Sequence, residues 1–146
     1  MNPLICWDTS VLIDCIHGDK ADPDRMQRIN SVADYVEANS YRLVFSALVY
    51  AEMLEGKRTE GGIKQFKNFM KNRKKIEVIN VDIRVAEKAG KIRSESERNI
   101  ETPDAVHIAT AIISGAQMFH TFDDGLLRLN GKEEVNGLSI TACEIP

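Results

Sequence analysis

Five short apolar runs, at residues 4–7, 41–45, 76–81, 118–121 and 138–142, alternate with longer segments whose apolar side chains recur at helical spacing. A run of that length bounded by polar residues reads as a buried strand. Recurrence at three and four positions reads as an amphipathic helix. Strands separated by helices pair in parallel through crossovers, and right-handed crossovers put helices on both faces of one sheet. The order therefore predicts an α/β sandwich around a mostly parallel sheet. The chain has 146 residues with no internal repeat and no Pro/Gly/Ser linker, which fits one domain over 1–146.

The helical segments carry their own boundary signals. Thr9 or Ser10 is placed to cap a helix through Ile16, and the polar stretch 17–25 reads as a loop before a helix that starts at Asp24. That second helix turns Met26, Ile29, Val32 and Val36 to one side. Ser46 is expected to cap a helix over 47–55 that Gly56 ends. Gly61-Gly62 reads as a break, followed by a helix over 63–75 with Ile63, Phe66, Phe69 and Met70 on one side. Asp82 is expected to cap a long helix with Ile83, Ala86, Ala89 and Ile92 inward. Thr102-Pro103 marks the start of a helix that runs to Ser114 and stops at Gly115.

Several functional classes are excluded by what the chain lacks. Cys6, Cys15 and Cys143 show no metal-binding spacing, so reduced thiols packed as small hydrophobes are expected. No run approaches the length of a membrane span, and Asp8 and Asp14 interrupt the N-terminal apolar stretch, so a cytoplasmic protein without a membrane partner is expected. GxSxG, a phosphate-binding Walker loop and GxGxxG are absent. Ser10 stands where a haloacid-dehalogenase-like phosphatase needs a second Asp, and the same segment lacks the acidic pair of a receiver domain.

Four carboxylates fall where a parallel sheet binds ligands, outside the carboxyl ends of its strands. Asp8 directly follows the first strand, and Asp123 follows the fourth. Asp104 lies in the first turn of the helix before that fourth strand. Glu52 sits in the apolar stretch SALVYAEML, where an unpartnered carboxylate would cost several kcal/mol, roughly. Taken singly, each has an ordinary role: a helix cap, a first-turn acid, a turn residue, a salt-bridged helix residue. Taken together, they map to one sheet edge. Clustered carboxylates repel, and all-oxygen ligation of Mg2+ or Mn2+ relieves the repulsion.

At these residues the sequence resembles the PIN-domain ribonucleases, specifically the VapC-type toxins of toxin–antitoxin pairs. WDTSVLID at 7–14 is similar to the family's opening motif, with Asp8 as its first acid and Ser10 as a supporting hydroxyl. FSALVYAEMLEG at 45–56 is similar to the second, with Glu52, and TPDAVHIATA at 102–111 to the third, with Asp104. HTFDD at 120–124 is similar to the fourth, with Thr121 and Asp123 in its Thr-x-Asp pattern. Phe122 stands where a polar residue is usual, and Asp124 adds a second acid; Asp123 is preferred as the fourth. The resemblance implies a PIN-like three-layer sandwich with a five-stranded, mostly parallel sheet. It also implies an endoribonuclease dependent on Mg2+ or Mn2+, a homodimer and a small cognate antitoxin. Asp8 and Asp104 become the first metal ligands, Glu52 and Asp123 complete the catalytic and metal-binding set, and Ser10 and Thr121 support it.

The net charge of −3 hides two opposed regions. Residues 57–75 carry eight basic side chains against Glu60 alone, a local charge of +7, so the remainder carries −10. Lys64, Lys67, Lys71 and Lys74 share one stripe. Such a stripe is either a solvated helix face or a track for RNA phosphates or acidic antitoxin residues. His107 follows Asp104 by three residues, where it either orients an acid or fills the core; no His pair suited to a metal-free ribonuclease is visible. The expected function is thus a metal-dependent endoribonuclease acting as a toxin. The alternatives are a PIN nuclease for RNA processing or DNA cleavage outside such a pair, and a non-catalytic RNA- or protein-binding module.

Overall fold

The computed structural model describes residues 2–18, 22–55 and 59–146. The expected stop at Gly56 and the basic pair Lys57 and Arg58 lie outside these residues. Strands β1 (Leu4–Trp7), β2 (Arg42–Ser46), β3 (Ile76–Ile79), β4 (Met118–His120) and β5 (Ser139–Thr141) form one sheet in the order β3-β2-β1-β4-β5. Every neighbouring pair is parallel.

Helices α1 (Thr9–Ile16), α2 (Pro23–Ala38), α3 (Leu48–Leu54) and α4 (Glu60–Met70) occupy one side of the sheet. Helices α5 (Ile83–Glu95) and α6 (Thr102–Ser114) occupy the other, and a one-turn helix α7 (Asp124–Leu127) follows β4. The strands sort their side chains with period two. Cys6 lies opposite Val44 and Phe119, and Phe119 opposite Ile140; this row packs with α5 and α6. Ile5, Trp7, Leu43, Phe45 and Met118 point the other way, into the layer of α1 to α4. Each fully buried side chain of this size stabilises by about 1.5–3 kcal/mol.

Trp7 meets Phe45 edge-on at 6.1 Å between ring centres. Its Nε1–H donates to Nδ1 of buried His120 at 3.1 Å. Burial pushes His120 down to about 4, so the ring is neutral, with Nδ1 accepting and the proton on Nε2.

The sheet and its layers follow the sequence pattern, and several boundaries differ from it. Asp8, not Thr9 or Ser10, caps α1. Pro23 opens α2 under an Asp22 cap, one residue before the expected start. Gly61-Gly62 does not break the chain: α4 runs through both, because the Thr59 hydroxyl accepts from the Gly62 N–H at 3.0 Å and starts the helix ahead of them. The same helix ends at Met70, so it does not extend to residue 75. In α5 the buried row is Val85, Ala89 and Ile92, while Ile83 is 75% exposed and Ala86 is exposed. Nine residues at about 100° each set Ile83 on the opposite side of the helix from Ile92, so steps of three drift off one face. At α6, Thr102 is the first helical residue and makes no cap bond; Pro103 still lies in the first turn, and Gly115 closes the helix at φ 75°.

Candidate active site

The chain builds outward from β1 to β2 and β3, then crosses by α5 and α6 to β4 on β1's other side. The carboxyl ends of β1 and β4 therefore flank a topological switch point, the usual ligand site of an open parallel sheet.

Asp8 leaves β1 there, only 4% exposed. Its Oδ1 caps α1 by accepting from the Val11 N–H at 3.1 Å and also accepts from the Ser10 hydroxyl at 2.6 Å. Its Oδ2 accepts from the Thr121 hydroxyl at 2.6 Å. Burial raises the Asp8 carboxyl above the ordinary range, and these three bonds only partly offset that. Asp8 thus caps the helix and lines the cleft at once.

Thr121 ties two acids together, since its Oγ1 also accepts from the Asp123 N–H at 3.0 Å. Asp123 in turn caps α7 through Oδ1, accepting from the Gly125 N–H at 2.8 Å. A Cβ on Gly125 would stand 3.1 Å from that oxygen, so the glycine lets the cap form. Asp124 is the first residue of α7 and does not line the cleft; Asp123 does.

Glu52, on α3, accepts from the Thr9 hydroxyl at 2.7 Å and pairs with Nε2 of His107 at 2.5 Å, both on Oε1. Burial pushes its carboxyl up, but the hydrogen bonds from His107 and Thr9 overrule this and hold it below the usual range. The buried His107 therefore orients an acid, yet the acid is Glu52 and not its helix neighbour Asp104. Its Nδ1 has no partner among the described residues, so the ring is anchored only through Nε2.

Asp104 completes the group from the first turn of α6. Burial, then the charges of Asp123 and Asp8, push it up to about 6. Asp8, Glu52, Asp104 and Asp123 all line one cleft of about 270 Å³, together with His107 and Glu55.

Among the described residues no three His, Cys, Asp or Glu side chains stand as a ready-made metal-binding group. The donor set nonetheless suits a hard divalent cation: it is all oxygen, and the raised Asp104 registers the repulsion a cation would relieve. Ser10 lines the cleft, while Thr121 is fully buried behind it and reaches Asp8 and Asp123 through hydrogen bonds. The lysines do not join the cleft: Lys64 and Lys67 are exposed on α4, Lys71 ends that helix, and Lys74 lies in the turn beyond. Sequence reasoning missed the roles of Thr9 and Glu55. Thr9 reads locally as a cap, and its bond to Glu52 spans 43 positions of chain.

The family model of the PIN domain matches residues 5–132. Among solved structures the chain is similar to VapBC2 from Rickettsia felis bound to a DNA fragment from their promoter. That match has a TM-score of 0.69 at 18% identity and covers 94% of this chain and 96% of that one. The DNA-bound VapBC from Salmonella typhimurium matches with a TM-score of 0.63 at 19% identity, over 98% of this chain and 100% of that one. FitAcB from Neisseria gonorrhoeae matches with a TM-score of 0.63 at 18% identity, over 94% and 96%. At these identities the likeness is one of fold. No curated protein sequence matches the chain.

Proposed function

The chain belongs to the PIN domain family, and from that premise we propose that it is an Mg2+- or Mn2+-dependent endoribonuclease acting as the toxin of a toxin–antitoxin pair. The observation that carries the reading is the meeting of Asp8, Glu52, Asp104 and Asp123, from four separate elements, in one cleft at the switch point. Solved structures of toxin–antitoxin complexes that match nearly end to end support a small antitoxin as partner. A homodimer and a cytoplasmic setting belong to the same proposal; no described helix is long and apolar enough to cross a membrane.

Asp8, Asp104 and Asp123 are the residues that would hold the cation, with Glu52 beside them. When bound, a divalent ion supplies Lewis acidity toward a phosphoryl oxygen and lowers the pKa of water. Ser10 and Thr121 fix the plane of the Asp8 carboxylate by holding one oxygen each. Thr9 and His107 keep Glu52 ionised, which leaves a carboxylate at the cleft wall able to take the proton of an attacking water. Asp123 is set by its own cap on α7 and does not rely on the cation for its position.

The experiment is induction of the wild type and Asp8→Asn in cells, with RNA cleavage by the purified proteins followed alongside. The reading expects growth arrest and cleavage from the wild type alone. Equal arrest and equal cleavage by both proteins would remove the catalytic assignment.

A further inference from the structure

Beside the acid cleft, the segment between α5 and α6 walls a second hollow of about 520 Å³. Both are lined by Asp104 and Asp123, so they adjoin through these two acids. Its apolar lining is Ile100 and Leu126, at 5% and 3% exposure. Its wall carries Arg98 and Asn99, both exposed.

Arg98 takes part in none of the ion pairs found among the described residues, although three carboxylates line the same hollow. Nor does it offset the repulsion at Asp104, whose charged neighbours are Asp123, Asp8, His107 and Glu101. Its guanidinium thus makes no ion pair with the acids of the hollow.

We infer that this hollow is a nucleotide subsite, in which Arg98 takes a phosphate next to the scissile one, Asn99 meets the base edge, and the base rests on Ile100 and Leu126. The inference rests on the nuclease reading of the acid cleft and deepens it. A planar guanidinium matches a phosphate with two parallel hydrogen bonds. An amide side chain offers both a donor and an acceptor to a base edge. An apolar contact with Ile100 and Leu126 accepts the face of any base, so selectivity falls to Asn99. The volume is that of a small-molecule site, for which about 300–1,000 Å³ is usual. The arrangement puts cation and anion demands in adjoining rooms: carboxylates where the bond breaks, a guanidinium where the neighbouring phosphate lies.

Arg98→Ala, Arg98→Lys and Asn99→Ala test this, all at exposed positions. Cleavage of single-stranded RNA in Mn2+ gives KM, kcat and the cleavage positions. Fluorescence anisotropy of a labelled RNA hexamer on the Asp8→Asn protein in Mg2+ gives affinity and salt slope. Arg98→Ala is expected to raise KM about tenfold with kcat nearly unchanged and to reduce the salt slope by about 0.7. Arg98→Lys should restore the slope but not KM, and Asn99→Ala should redistribute the cleavage positions. If the wild type cleaves RNA and Arg98→Ala matches it in KM, slope and positions, the subsite is overturned and the nuclease reading stands. If the wild type cleaves nothing while hexamer binding still depends on Arg98, the nuclease reading fails and the nucleotide site survives. Hexamer binding indifferent to Arg98 in a protein that cleaves nothing overturns both.

Discussion

His107 shows how a residue that fills the core can also orient an acid of the cleft. It is 1% exposed, and its one side-chain anchor pair, Glu52 and Thr9, lies at the cleft. Replacing it by Leu keeps the packing volume roughly and leaves Glu52 held by Thr9 alone. Residues that orient a site's ligands from behind typically change activity by 10–100-fold, roughly; a loss of about that size in kcat, with RNA KM little moved, is expected for His107→Leu. His107→Gln, which can still donate to Oε1, should recover part of it. Equal kcat in all three proteins would reduce His107 to packing alone.

Two titrating residues pull stability in opposite directions. Asp104 rises from 3.8 to about 6 on folding, so in EDTA the folded state holds its proton longer than the unfolded one, and stability falls as pH rises across that interval. His120 falls from 6.5 to about 4, so the unfolded state binds the extra proton, and stability falls as pH drops across that interval. Asp104→Asn should therefore stabilise the metal-free protein at pH 7 by about 1 kcal/mol, discounted for its partial exposure, and the gain should vanish near pH 4. Thermal melts in EDTA between pH 4 and pH 7 check both the sign and the window. A gain that grows toward acid pH would contradict the assignment.

At the scale of elements, the strands were readable because short apolar runs between polar bounds have few other uses. Helix phase was less so. Three-residue spacing puts Ile83 inward, whereas the fold buries Val85, Ala89 and Ile92, which keep to one face. The glycine pair in α4 looked like a break because local propensity says nothing of the Thr59 cap just ahead. The basic stretch was visible as composition, yet only Lys64 and Lys67 lie within the helix, with Lys71 at its end. If this face carries RNA, reversing Lys64, Lys67 and Lys71 to Glu should weaken binding and flatten its salt dependence by about 2 in slope, the value for three phosphates on a single strand. An unchanged slope would leave the lysines as a solvated surface.

Across the whole molecule, the switch in strand order decides where the candidate acids meet. Reversal at β1 leaves a crevice between β1 and β4, and every candidate acid reaches it: one from each strand end, one from α3 and one from α6. Asp8, Asp104 and Asp123 are legible in the sequence because each stands at a strand end or helix start, and Glu52 because it interrupts an apolar stretch. Their partners are not, since Thr9 with Glu52 and Thr121 with Asp8 meet only across 43 and 113 positions of chain. The net charge of −3 is likewise a sum over distinct places, with the lysines of α4 set apart from the acid cleft.

The central claim, that this crevice is a metal-dependent phosphodiester-cleaving site, is tested most directly by single-turnover cleavage of RNA across a Mn2+ titration, comparing the wild type with Asp104→Asn. The account predicts no cleavage by the wild type in EDTA, a rate that rises and saturates with Mn2+, and a loss of at least about a hundredfold in the variant at saturating metal. Cleavage that persists in EDTA, or a variant as fast as the wild type at every Mn2+ concentration, would contradict it.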